Sequence, residues 1–167
     1  SMDIGVGRLS VRNKTEAKDV VDKLIDYDLN QNSFAPWRKN ILFVADDGDF
    51  NIHQGQADQL AAKIDLEHPE LNIKKNYLDS YAQIEKPSGQ ISPDANESLD
   101  HALRNGAAVV NFTGHGSEQV WMQERILDDV MIKGWKNAPE YPLFVTATCE
   151  FGRHDDPGQI SSGEKVL

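Results

Sequence analysis

Two short apolar runs, each followed by a residue able to do chemistry, constrain this 167-residue chain most strongly. Residues 109–113 and 142–148 are rich in β-branched and aromatic side chains, which predicts two buried strands. The first run leads into His115 within a Gly-His-Gly sequence, and the second leads into Cys149, the only cysteine in the chain. Ligands of open α/β sheets bind beyond the carboxyl ends of the strands, so we predict that His115 and Cys149 form a catalytic pair.

The segment between the two runs has the pattern of a connecting helix. Residues 124–137 place apolar side chains at helical spacing and predict a crossover helix. A strand–helix–strand unit has a right-handed crossover and commonly makes its two strands neighbours, about 4.8 Å apart. The spacing of 34 residues between His115 and Cys149 suits such a unit.

The rest of the chain alternates helical and strand patterns in the same way. This alternation predicts an α/β fold with a mostly parallel sheet flanked by helices. The predicted elements are a helix capped by Asn13 and reaching Leu29, a strand over 40–45, a helix with its apolar stripe from Ala57 to Ile64 and its end at His68, a strand over 71–78, and a helix from Ser92 to Gly106.

Charge and hydropathy argue against nucleic-acid binding and against a membrane-spanning helix. The net charge is −10, from 17 basic and 27 acidic residues, which argues against binding to a nucleic-acid backbone. No apolar run approaches the roughly 20 residues that a membrane-spanning helix needs. We therefore expect one globular domain with no nucleic-acid partner and no transmembrane segment.

The thiol of Cys149 has two interpretations. An unpaired cysteine is most often a buried, unreactive residue. The polar, turn-rich residues 150–158 follow it directly, however, which favours a thiol at the rim of the sheet. A neighbouring imidazole activates a thiol and can protonate the leaving amine, so His115 is the predicted acid–base group. The N–H groups of Gly116 and Cys149 are the predicted oxyanion donors, whereas the alternative for Gly-His-Gly is a tight turn with a solvent-facing histidine.

Three further residues are candidates for substrate binding because they lie close to the predicted pair in sequence. Glu118 and Glu150 are expected at the rim. Trp121 has two interpretations, as a wall of the substrate pocket or as a residue packed against the crossover helix.

The other histidines carry weaker signals. His154 is a rival base five residues beyond Cys149, but its charged neighbours favour a solvated loop. His53, His68 and His101 belong to no motif and are expected at the surface.

The residues around both strand ends resemble the gingipain family of cysteine peptidases, which have a caspase-like fold. The similarity covers nearly the whole chain, and within the family it is greatest to the sortases of type IX secretion in Bacteroidota. The matching segments are residues 4–11, 45–49, 77–79, 87–89, 111–118, 146–151 and 155–157, together with Trp121.

The resemblance implies a role for three residues. Cys149 matches the nucleophile, His115 matches the acid–base residue, and Asp47 lies where the family has an acidic residue that orients the histidine. Asp58 lies near the position of an aspartate that recognises basic side chains in gingipains, without implying that specificity here.

The resemblance also implies a biological setting. It indicates an exported endopeptidase and transpeptidase at the cell surface, associated with the outer membrane, that needs no cofactor. Its protein substrates would be the C-terminal domains of secreted cargo, and its partners other components of the secretion system. Family members continue beyond Gly163–Glu164 into more of the sheet, so residues 1–167 are expected to be part of a larger catalytic domain.

The acidic residues after residue 45 permit a different function. Asp47, Asp49, Asn51 and Asp58 occupy positions one, three, five and twelve of a calcium-binding loop, but Ile52 replaces the glycine required at position six. A solvated turn that also orients the histidine is therefore favoured over a calcium site. The alternative function is a noncatalytic pseudo-peptidase or adaptor domain that binds calcium or a partner.

Overall fold

The computed structural model describes residues 6–167, which form a parallel four-stranded sheet with helices around it. The matching segment 4–11 lies partly outside these residues, and 6–11 forms neither helix nor strand. The strands are β1 (Asn40–Ala45), β2 (Asn72–Tyr77), β3 (Val109–Thr113) and β4 (Leu143–Ala147). The α-helices are α1 (Lys14–Leu29), α2 (Gly48–Glu67), α3 (Pro93–Arg104), α4 (Asp129–Gly134) and α5 (Ser162–Lys165), and short 3₁₀ helices cover Gln31–Ser33, Pro36–Lys39 and Leu78–Ser80.

The order of the strands across the sheet is β2-β1-β3-β4, and every neighbouring pair is parallel. All four carboxyl ends therefore lie at one edge of the sheet. The predicted α/β fold with its parallel sheet is confirmed.

The core lies on both faces of the sheet because alternate residues of a strand point to opposite sides. Leu42 and Val44 of β1 pack with Leu99 of α3 on one face. Phe43 of β1 packs with Ala57 of α2 on the other face. Burial on both faces explains why β1 is a continuous apolar run with no alternation.

The predicted crossover helix over 124–137 is wrong in its extent. Only Asp129–Gly134 is α-helical, and Asp128 caps it by accepting hydrogen bonds from two backbone N–H groups. Ile126 and Leu127 are consecutive in sequence and both buried in the core. They belong to a turn-rich segment in which Trp121 pairs with Gly116 and with Leu127 through isolated bridges.

Helix α1 forms as predicted, but its apolar face is not buried. Asn13 accepts hydrogen bonds from the N–H groups of Thr15 and Glu16, which fixes the start of the helix. Leu24 and Leu29 are nevertheless exposed. The periodicity therefore predicts the helix correctly, but it does not show whether another element covers its apolar face.

Among residues 6–167, no helix combines the length and the apolar character needed to cross a membrane.

Candidate active site

The ends of β3 and β4 bring the two predicted catalytic residues to the same edge of the sheet. Thr113 pairs with Ala147 in the parallel register, and His115 and Cys149 each lie two residues beyond that pair. The N–H of Gly114 donates to the carbonyl of Ala147 at 3.2 Å, which extends the pairing by one residue. The two loops therefore leave the sheet side by side.

The loops stay close together beyond the sheet because Gly116 has no side chain. A Cβ atom built at Gly116 would lie 2.4 Å from Oγ1 of Thr148, the residue before Cys149. A larger residue at 116 would push the His115 loop away from the Cys149 loop.

Asp46 fastens the His115 loop to the end of β1. Its side chain is buried, with Oδ2 accepting a hydrogen bond from the N–H of His115 at 2.8 Å. Oδ1 accepts from the N–H of Gly48 at 3.0 Å. One carboxylate thus holds the histidine loop and the start of α2 in a fixed relation.

The imidazole ring of His115 contacts Asp49. Nε2 of His115 lies 3.0 Å from Oδ2 of Asp49. The ring of His53 lies edge-on to that of His115, with centroids 5.0 Å apart and an interplanar angle of 89°. Asp49 has a left-handed backbone, with φ 52°, as do Phe50 and Asn51, and this turn carries the carboxylate to the histidine.

Asp47, predicted to orient His115, contacts a different residue. Its carboxylate accepts a hydrogen bond from Nε2 of Gln83, and the carboxylate at the ring of His115 belongs to Asp49. Asp47 lies instead in an acidic group with Asp46 and Glu124, whose carboxylate oxygens are within 4.8 Å of one another. Burial raises the pKa of Glu124, and the charges of Asp47, Asp46 and Glu85 raise it further.

Cys149 is exposed at the rim, as the polar sequence after it predicts. Within residues 6–167 its thiol makes no hydrogen bond to His115, whose Nε2 is bonded to Asp49. Glu150, next to the thiol, is also exposed and has a left-handed backbone with φ 53°.

The predicted oxyanion donors are free of backbone partners. In the described part of the chain, neither the N–H of Gly116 nor that of Cys149 donates a hydrogen bond to a backbone carbonyl. No backbone carbonyl in this part of the chain therefore competes with their predicted role as oxyanion donors.

The pocket-wall interpretation of Trp121 is wrong. Trp121 is fully buried and stacks on Phe112 of β3, with ring centroids 4.3 Å apart. Its ring also packs against Phe151, at 5.4 Å between centroids. Trp121 anchors the segment after His115 to the core and does not reach a substrate.

Glu118 lies at the rim but is held by other side chains. Its carboxylate accepts hydrogen bonds from Arg153 Nη1, at 2.6 Å, and from Gln159. This contact joins the segments that follow β3 and β4.

The calcium-loop interpretation of residues 47–58 does not match the structure. Residues 48–67 form α2, interrupted only by the left-handed turn at 49–51. The carboxylate of Asp58 binds Nζ of Lys75 and the hydroxyl of Tyr77, while Asp49 binds His115. These side chains therefore do not surround one point as the ligands of a calcium loop do.

Part of this site is not indicated by any motif in the sequence. His53, which was expected at the surface, is half-buried beside His115. His154 is exposed and contacts Arg8, in agreement with its predicted place in a solvated loop. Asp46 had no predicted role, and Asp49 was considered only as a ligand in the possible calcium-binding loop, although both follow β1 at the sheet edge where His115 was predicted. This shared sheet edge was the sequence signal that could have indicated contacts of Asp46 and Asp49 with His115.

Among residues 6–167, two groups of side chains could hold a metal ion. One is the buried acidic group of Asp46, Asp47 and Glu124, and the other combines Asp49, His53 and His115. Both lie at the carboxyl ends of β1 and β3.

Comparison with known proteins identifies the relatives of this chain. Residues 1–167 match the family described as peptidase family C25. Gingipain R2 of Porphyromonas gingivalis is 25% identical over 154 residues, covering 90% of this chain and 19% of that protein. Gingipain R1 of the same species is also 25% identical over 154 residues, with 90% of this chain and 14% of that protein covered. The chain thus spans less than a fifth of the curated relatives it matches.

Solved structures share the fold. The crystal structure of the Arg-specific cysteine proteinase gingipain R superimposes with a TM-score of 0.71 at 22% identity, over 95% of this chain and 34% of that chain. The complex of the pro- and mature domains of RgpB from P. gingivalis gives a TM-score of 0.71 at 21% identity, over 98% and 37% of the two chains. The caspase-like fold implied by the sequence resemblance is confirmed.

Proposed function

We propose, from the premise that this chain belongs to peptidase family C25, that it is the catalytic region of a cysteine endopeptidase with Cys149 as nucleophile and His115 as acid–base group. The observation that carries the proposal is the register of β3 and β4, which sets both residues two positions beyond the paired residues Thr113 and Ala147. A thiol and an imidazole at one rim are the parts that thiol peptidases require.

The hydrogen bond that Asp49 accepts from the His115 ring supports different roles for the two ring nitrogens. With Nε2 protonated and donating a hydrogen bond to Asp49, Nδ1 carries the lone pair that accepts the thiol proton. Asp49 thereby takes the orienting role predicted for Asp47. Asp46 acts one step further away, by fixing the backbone of His115.

The reaction follows from these roles. His115 removes the proton from Cys149, and the thiolate forms an Sγ–C bond to the carbonyl carbon of the substrate. The N–H groups of Gly116 and Cys149 stabilise the oxyanion, each contributing about 3 kcal/mol. The C–N bond then breaks, and the imidazolium gives its proton to the leaving amine. Attack on the resulting thioester by water gives a carboxylic acid, and attack by an amine gives a new amide. In both cases the Sγ–C bond breaks and His115 returns a proton from the attacking group to the sulfur, which regenerates the thiol.

The finer function follows the resemblance to PorU, the sortase of type IX secretion. The substrate would be a folded cargo protein cut before its C-terminal domain, and the acceptor would be an amine at the cell surface. The carboxylate of Asp58 pairs with Lys75, and we do not extend the arginine specificity of the relatives to this chain.

The test is a processing reaction with the full-length protein that contains this chain. Purified cargo carrying its C-terminal domain is incubated with wild-type protein and with the variant Cys149→Ser, and products are identified by mass spectrometry. We expect cleavage by the wild type, a product of increased mass when a small primary amine is added, and neither product with the variant.

Two results would oppose this function. Cleavage that survives Cys149→Ser would show that the thiol is not the nucleophile. Absence of cleavage together with an unreactive Cys149 would support the pseudo-peptidase alternative.

A further inference from the structure

Three side chains that commonly bind transition metals meet beside the proposed catalytic histidine. Oδ2 of Asp49 lies 3.0 Å from Nε2 of His115 and 3.5 Å from Nε2 of His53. The three donor atoms are all within 4.8 Å of one another. His53 reaches this position from α2, and His115 reaches it from the loop after β3.

The spacing suits a tetrahedral metal ion. Zinc binds imidazole nitrogen and carboxylate oxygen at about 2.0–2.2 Å, so neighbouring ligands in a tetrahedron lie about 3.3 Å apart. The two contacts to Asp49 lie on either side of that value. Two imidazoles and one carboxylate are also the donor types that zinc accepts.

One donor in the group is unused. Nε2 of His53 is shielded from solvent and has no hydrogen-bond partner among residues 6–167. A buried ring nitrogen without a partner is unfavourable unless something binds it. Because this nitrogen lies 3.5 Å from the carboxylate oxygen that also contacts His115, a metal ion bound between the three residues would give it a partner.

We infer that Asp49, His53 and His115 form a zinc site that switches the peptidase off. The regulatory part of this inference rests on the proposed function of His115. Three protein ligands leave a fourth position, which faces solvent because Asp49 and His115 are more than half exposed, at 61% and 54%. Zinc can therefore enter and leave without unfolding the protein.

The inhibition follows from the chemistry of the ring. Zinc bound at Nε2 leaves the proton of the neutral imidazole on Nδ1. A protonated Nδ1 cannot accept the proton of the Cys149 thiol. Bound zinc therefore removes the base and also displaces the Asp49 hydrogen bond that orients it.

The binding test uses zinc alone and does not depend on peptidase activity. Isothermal titration calorimetry of the metal-free full-length protein should detect a zinc site. The dissociation constant of that site should change by less than about twofold in Cys149→Ser. His53→Ala should weaken that site by at least ~100-fold, the upper end of the loss that even outer-shell substitutions cause. His101→Ala is the matched control, since His101 is an exposed helical histidine outside the group, and it should bind as the wild type does. Replacement of zinc by Co²⁺ should give visible absorption bands that the His53 variant lacks.

The activity test separates this inference from the proposed function. Zinc should inhibit the wild type at concentrations near its dissociation constant, and His53→Ala should need ~100-fold more zinc, each protein being compared with its own metal-free rate. Zinc binding as described by a protein that cleaves nothing would support the site and refute the peptidase. Unchanged zinc binding in His53→Ala, binding lost only in Cys149→Ser, or no binding at all would overturn the site.

Discussion

Replacement of Asp46 by alanine should detach the His115 loop from the end of β1. The carboxylate accepts hydrogen bonds from the N–H groups of His115, at 2.8 Å, and Gly48, at 3.0 Å. A hydrogen bond to a charged group contributes about 1.5–3 kcal/mol, so the loss of both would cost about 3–6 kcal/mol if they were additive. Relief of repulsion with Asp47 and Glu124 offsets part of this loss. We expect a net decrease of about 2–4 kcal/mol in the free energy of unfolding.

Urea unfolding followed by tryptophan fluorescence measures this change. With a urea dependence of about 2 kcal/mol per molar, the midpoint should fall by about 1–2 M. Asp46→Asn should lose about half as much, because its amide keeps one acceptor oxygen. Asp79→Ala, at an exposed position, is the matched control. A midpoint for Asp46→Ala within about 0.2 M of that control would refute the proposed role of Asp46.

Three further substitutions test other parts of the site. Glu124→Gln should raise the thermal midpoint at about pH 7 and change it little at about pH 4. The reason is that the raised pKa of Glu124 makes its ionised form unfavourable in the folded state, and an equal effect at both pH values would contradict it. Phe50→Gly should stabilise the protein by about 0.5–1 kcal/mol, since Phe50 is exposed and left-handed, and destabilisation in urea would argue against the turn at 49–51. Trp121→Ala should lower the free energy of unfolding by about 3–5 kcal/mol, whereas Trp121→Phe should lower it by less than about 1.5 kcal/mol, because it also removes an indole N–H that has no hydrogen-bond partner among residues 6–167; equal losses would contradict this packing.

Local patterns predicted most of the sheet. The run at 40–45 is apolar at every position after Asn40, and such a run can be buried only between two layers. The parallel pairing of β3 with β4 followed from the spacing of a crossover unit and from nothing more specific. The positions of His115 and Cys149 at one edge were predictable for the same reason.

Helical spacing of apolar residues is misleading where the buried residues do not follow that spacing. Residues 124–137 have apolar side chains at helical spacing. Ile126 and Leu127 are adjacent in sequence, yet both are buried in the core around Trp121, and a turn buries two adjacent side chains there more readily than a helix does. The apolar face of α1 has the same spacing as a buried helix yet is exposed. Periodicity indicates whether a segment is a helix or a strand, but it does not indicate which other elements pack against that segment.

The neighbourhood of His115 could be predicted only in part. Adjacent aspartates at 46 and 47 look equivalent in sequence, although only Asp46 bonds to the histidine backbone. The approach of Asp49 depends on three consecutive left-handed residues, and no sequence pattern indicates that turn for Phe50. His53 becomes a neighbour of His115 only because of the same turn.

The rate at which a small alkylating reagent modifies Cys149 tests most directly whether the ends of β3 and β4 form one catalytic centre. The measurement compares the wild type, His115→Ala and the control His101→Ala near neutral pH in a buffer containing a metal chelator. We predict that His115→Ala slows alkylation by at least ~10-fold while His101→Ala leaves the rate unchanged, because His115 and Cys149 follow paired strand ends whereas His101 lies in α3. Equal rates in all three proteins would contradict the proposed catalytic pair.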